Sequence, residues 1–197
     1  MKVLNAWLKQ RLAVAIILAC SLTVASAGQG AWGHFNSSPE VRLDATRRNI
    51  TLLRDLVYTD PKGTVWLAPA GSVSDGASIP PAFWGVIGGP LDDQYRDASI
   101  IHDVACQTRD RPWEDAALAF YCAMRCRGVG NAKAKIMYYA VYHFGPRWGI
   151  ANAVRDLFGS ERQATSKDVR QISQWVHTAN PSLDQIENTN PALIPKR

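Results

Sequence analysis

The sequence predicts an α+β fold: a small N-terminal antiparallel β element, then a mainly helical body organised around a central helix hairpin. Three observations predict it. Between Asn49 and Gly71, short β-like apolar runs flank the turn-forming string Asp60-Pro61-Lys62-Gly63. Downstream of Asp92, apolar residues recur at the spacing of one helix face. The first two helical stretches are separated only by the polar link 107–111, too short for anything but an antiparallel return.

Each element has a local reason. Residues 28–50 are polar and irregular. NITLLRDLVYTD and GTVWLAPAG read as the arms of a hairpin, in which Pro61 presets φ and Gly63 is free to take a positive φ. The stretch 72–90, SVSDGASIPPAFWGVIGGP, is too rich in Gly and Pro for a regular element and reads as an ordered loop. A helix over 92–106 places Tyr95, Ala98, Ile101 and Ala105 on one face. Pro112 opens a second helix that carries Ala116, Ala117, Phe120, Met124 and Cys126 and stops at Gly128. A Tyr-rich third helix runs over 131–143 and is broken by Gly145-Pro146. A fourth segment covers 147–158. A fifth covers 166–177, with Ser166 as N-cap and Asp168 in its first turn. From 181 to 197 no periodicity remains and a mobile tail is expected.

The first 27 residues read as a signal peptide: Lys2, Lys9 and Arg11, an apolar run from Leu12, and Ala25-Ser26-Ala27 as the cleavage signature. Export to the periplasm or the medium follows, with a lipoprotein anchored at Cys20 as the alternative. Residues 28–180 would then form one globular domain, with no transmembrane helix in the mature chain. The leader holds three basic residues and no acidic one, so the formal charge falls from +5 to +2 on cleavage. With no Lys/Arg run of five, nucleic acid is not an expected partner. Cys106, Cys122 and Cys126 remain, and an oxidising compartment favours one disulfide and one free thiol, the pairing left open.

From Leu67 to Trp148 the chain resembles a family of bacterial and phage proteins catalogued only as a domain of unknown function. The residues that carry the resemblance are Ala68-Pro69-Ala70-Gly71, Ser74-Asp75-Gly76-Ala77-Ser78-Ile79-Pro80, Phe83-Trp84, Gly89-Pro90 and Ile100-Ile101-His102-Asp103. They continue with Asp115, Phe120, Gly128-Val129, Met137-Tyr138 and Phe144-Gly145. The chain departs from the pattern after His-Asp, where Val104-Ala105-Cys106 replaces an aromatic residue. This resemblance implies a fold and names no reaction. The order of the Gly85–Gly89 stretch, His102-Asp103 and Asp115-Ala116-Ala117 is also similar to that of secretory phospholipases, which implies calcium-assisted ester hydrolysis.

In physical terms, His102 and Asp115 lie at similar distances from the link and are expected to meet across the hairpin. The carboxylate would fix the imidazole tautomer and leave the other nitrogen as a base toward water. Asp103, turned about 100° from His102, would face the glycine loop. Its carboxylate with the carbonyls of Gly85, Gly88 and Gly89 suits Ca²⁺, and the cation would stabilise an oxyanion. Asp75, Ser78 and Trp84 are expected to anchor the loop. Cys106, at i,i+4 from His102, is a weaker candidate nucleophile, and Ser78 lacks an elbow motif around it. Two functions follow. One is an exported hydrolase with a His102/Asp115 dyad acting on phospholipid, or on cell-wall material. The other is a non-catalytic periplasmic or phage-derived accessory protein in which the His-Asp pair locks the hairpin.

Overall fold

The computed structural model describes residues 30–45, 49–76, 79–89, 94–149 and 163–189. The leader and part of the fourth segment therefore lie outside the described residues, as do Ala77-Ser78 and residues 190–197. The strands are β1 (His34–Phe35), β2 (Val41–Leu43), β3 (Ile50–Leu52), β4 (Leu56–Thr59), β5 (Val65–Ala68) and β6 (Val73–Ser74). A 3₁₀ turn at Pro81–Phe83 leads into the helices α1 (Trp84–Ile87), α2 (Arg96–Thr108), α3 (Trp113–Cys126), α4 (Asn131–Phe144), α5 (Ser166–Ala179) and α6 (Leu183–Asn188). The α+β class holds.

The strands form two three-stranded antiparallel sheets, ordered β1-β4-β5 and β2-β3-β6. The hairpin expected at Asp60–Gly63 joins β4 to β5, with Leu56 opposite Ala68 and Thr59 opposite Val65. Its turn is fastened by Asp60. One carboxylate oxygen accepts from the N–H of Lys62 at 2.8 Å and of Thr64 at 2.9 Å, and the other accepts from Trp66 Nε1 at 3.2 Å. A buried carboxylate with three donors is well compensated. Period-two alternation sends Leu56, Tyr58, Trp66 and Ala68 inward and leaves Val65 and Leu67 outside.

The helices supply most of the core. α2 and α3 pack as the expected antiparallel hairpin and α3 packs on α4, whose Tyr138 and Tyr139 are buried. Arg127 ties the β1 segment to this body: it pairs with Asp97 at 2.5 Å, donates to Ser37 O at 2.7 Å and lies over the Phe35 ring. Gly33 is required where the chain crosses β4, because a Cβ there would stand 2.1 Å from Thr59 O.

Several expectations are corrected. Residues 28–50 are not irregular throughout, since β1 pairs with β4 and β2 with β3. The N-cap of α5 is Thr165, which forms a capping box with Asp168, one residue before the expected Ser166. Arg147–Gly149 are not helical. The expected tail from 181 carries α6, capped by Ser182 and Gln185. Ile186 is fully buried, Glu187 accepts from Tyr138 OH at 2.7 Å, and His143 Nε2 lies 2.7 Å from Ile186 O. Cys106, Cys122 and Cys126 are all free thiols instead of one pair and one thiol. Among the described residues no helix is long and apolar enough to cross a membrane.

Candidate functional site

His102 and Asp103 sit in the middle of α2, on a stretch buried continuously from Asp97 to Ala105. His102 is 4% exposed. Its ring packs on Phe120 of α3, with centroids 5.1 Å apart. Both ring nitrogens lie near Cys106 Sγ, at 3.7 Å for Nδ1 and 3.8 Å for Nε2. Burial pushes the imidazole down to about 4, so it is neutral at physiological pH. The Cys106 thiol is pushed up to about 12, first by burial and then by the Asp103 carboxylate, with Arg109 opposing. The pair is therefore thiol and imidazole, the opposite of the thiolate that a nucleophilic cysteine needs.

The expected contact between His102 and Asp115 is not formed. Asp115 is exposed, in the first turn of α3, and makes no hydrogen bond with His102. Two physical reasons account for this. α2 runs on to Thr108, so His102 lies too deep for a first-turn residue, and the residue at its depth is Phe120. The buried stripe of α3 runs through Trp113, Ala116, Ala117 and Phe120, and Asp115 falls off that stripe. Asp115 lines instead a surface hollow of about 180 Å³ with Lys62, Trp66 and Arg111.

Asp103 also turns away from its expected partner. One carboxylate oxygen accepts from the Ser74 hydroxyl at 2.5 Å and from the Gly76 N–H at 3.2 Å. It thus fastens α2 to β6 and to the loop that follows. Gly76 has φ 113°, a conformation that favours glycine and that aims its N–H at the carboxylate. The Gly85–Gly89 stretch does not gather oxygen ligands around Asp103. Gly85 is inside α1, Gly88 caps it at φ 95°, and the Gly89 carbonyl accepts from Tyr95 OH. Among the described residues no three His, Cys, Asp or Glu side chains cluster as metal ligands. Among the described residues, the Asp103 oxygen bonded to Ser74 and Gly76 and the Gly89 carbonyl bonded to Tyr95 are engaged within the protein.

Of the expected loop anchors, Asp75 is exposed and Ser78 lies outside the described residues. Trp84 is 41% exposed and donates from Nε1 to Ile79 O at 3.2 Å. The anchoring falls to the Ser74 hydroxyl and the Gly76 N–H, in the Ser74–Pro80 string that the sequence singles out but where the anchors were expected at Asp75 and Ser78. A signal was present, since Ser74 follows Val73 at the inward position of a two-residue alternation.

Residues 50–141 match the family model described as a protein of unknown function, DUF1353. The chain resembles DUF1353. The matched span runs from β3 into α4, and holds Ser74, Asp103, His102 and Phe120. Two uncharacterised proteins of Sinorhizobium fredii are similar to this chain. y4jT is 40% identical over 148 residues, covering 74% of this chain and 44% of its own length. y4iH is 38% identical over 122 residues, covering 62% of this chain and 48% of its own length. The chain thus spans less than half the length of these relatives. No solved structure matches.

Proposed function

We propose that this chain is a non-catalytic accessory domain of an exported protein, one that acts by binding, and that His102 and Asp103 hold its hairpin to its sheets. The observation that carries the reading is the state of His102: 4% exposed, beside a neutral thiol and an aromatic ring, with an imidazole near 4. A general base is efficient when its pKa lies near the working pH and an orienting group fixes its tautomer. Neither condition supports His102 as a base. Asp103 is engaged by Ser74 and Gly76, as a structural carboxylate is. Export rests on the leader pattern of the sequence.

The test is enzymatic. Purified protein is incubated with phospholipid vesicles, with and without calcium, and separately with peptidoglycan, beside a His102→Gln variant. The reading expects product at the level of the protein-free blank in every arm. Fatty acid or muropeptide release by the wild type that disappears in His102→Gln would overturn it.

A further inference from the structure

β5 is the outer strand of its sheet. The Asp60 N–H donates to Thr64 O at 3.0 Å across the turn. Antiparallel pairs alternate between bonded and non-bonded, so Tyr58/Trp66 and Leu56/Ala68 exchange hydrogen bonds, while Thr59/Val65 and Val57/Leu67 do not. The N–H and C=O groups of Val65 and Leu67 therefore point away from β4, along the open edge. Among the described residues, the side-chain donor that reaches this edge is Arg111 Nη2, 3.4 Å from Val65 O.

Apart from Arg111, no strand or side-chain donor among the described residues covers the edge. Its sequence, Val65-Trp66-Leu67-Ala68, has no Lys, no Pro and no bulge, the devices that normally keep a strand from pairing outward. The side chains of Val65 and Leu67 are 53% and 52% exposed. Beside them a groove of about 320 Å³ runs between β5 and α2, with Pro69, Ile101, Val104 and Ala105 along it. Arg111 stands at one end, its guanidinium 5.2 Å over the Trp66 ring. It makes no ion pair among the described residues. Asp110 shares that end, which favours a single carboxylate against Arg111 over a polyanion.

We propose that the β5 edge and its groove take an extended peptide segment of another protein, which adds a strand to the sheet, places alternate apolar side chains in the groove and sets one acidic residue against Arg111. The edge groups that the described residues leave without a backbone partner call for an extended backbone, the apolar lining for alternate apolar side chains, and a guanidinium held by Val65 O and the Trp66 ring but by no ion pair among the described residues for a carboxylate. This deepens the reading of the chain as a binding domain and rests on it.

The probe is a pair of fluorescent peptides of alternating Val and Thr, one ending in Glu and one in Lys, measured by anisotropy on the full chain. The Glu peptide is expected to bind more tightly than the Lys peptide. Leu67→Pro removes an edge N–H that β4 does not use, so the fold should persist by circular dichroism. Binding should weaken by at least about tenfold, roughly the loss of one or two hydrogen bonds. Arg111→Glu should reverse the preference between the peptides. Failure of both peptides to bind, or binding unchanged in Leu67→Pro, overturns the proposal. A dimer in sedimentation that Leu67→Pro abolishes also overturns it, by making a second copy the occupant. Loss of peptide binding with the hydrolysis assays still blank would leave the non-catalytic reading standing; hydrolysis with peptide binding intact would remove that reading and keep the groove.

Discussion

α2 presents two unlike surfaces. One carries His102 and Asp103 and is closed: Phe120 and Cys106 meet the imidazole, and Ser74 and Gly76 meet the carboxylate. The other carries Ile101, Val104 and Ala105, themselves buried, at the floor of a groove beside the β5 edge, which no strand among the described residues pairs. The polar surface has the residue types of catalysis, and the apolar one has none of them. The contrast teaches that residue type does not mark a site. Polar groups already supplied with partners hold a fold together, and a surface with unmet backbone groups is the one that can bind.

The comparison can be broken first at its closed side. Phe120 is fully buried and supports the His102 ring. Phe120→Ala should cost about 3–5 kcal/mol in denaturant unfolding; a cost below about 1 kcal/mol would mean that the hairpin does not close over the imidazole.

Acid should act on the same place. The unfolded chain takes up the His102 proton near pH 6.5, and the fold resists it down to about 4. Between those values the unfolded state binds more protons, so stability falls as the pH drops. The total for this group is about 3 kcal/mol, complete below pH 4. His102→Gln should flatten the stability profile in that window, read by urea melts at several pH values. A variant with the wild-type slope would assign the acid sensitivity to other groups.

Asp103→Ala leaves the Ser74 hydroxyl and the Gly76 N–H buried without an acceptor and should cost about 2–3 kcal/mol. Ser74→Ala, which removes one donor and keeps the carboxylate's bond to Gly76, should cost about 1–2 kcal/mol. Equal stability of the wild type and Asp103→Ala would free this carboxylate from its structural role. Asp115→Ala, on an exposed side chain, should change stability by less than about 0.5 kcal/mol and leave the His102 titration unmoved. A shift of that titration would restore a coupling between the two helices.

The hairpins were legible in the sequence because their signals are local. The Asp60–Gly63 turn, the 3.6-residue spacing in α2 and α3 and the polar link each lie within one short window. β1 and β2 were not legible. They are two and three residues long, and their register comes from strands elsewhere in the chain. α6 had a readable capping box at Ser182 and Gln185, but six residues are too few for periodicity to show. The burial of His102 was suggested by Ile100, Ile101 and Val104 around it. Its neighbour was not, because one residue of helix length moves the depth at which two arms meet. The partner of Asp103 lies on β6, across a Gly- and Pro-rich stretch that gives no spacing to count. The open β5 edge was hidden for a further reason: an apolar alternation looks the same whether the next strand is present or absent.

The most direct test is an NMR titration of the His102 ring in the wild-type protein. The account predicts a neutral imidazole through pH 5, with protonation only near 4 and together with loss of the fold. An imidazole that titrates at or above 6.5 in the folded protein would show an open, solvated base and contradict the structural assignment of the His-Asp pair.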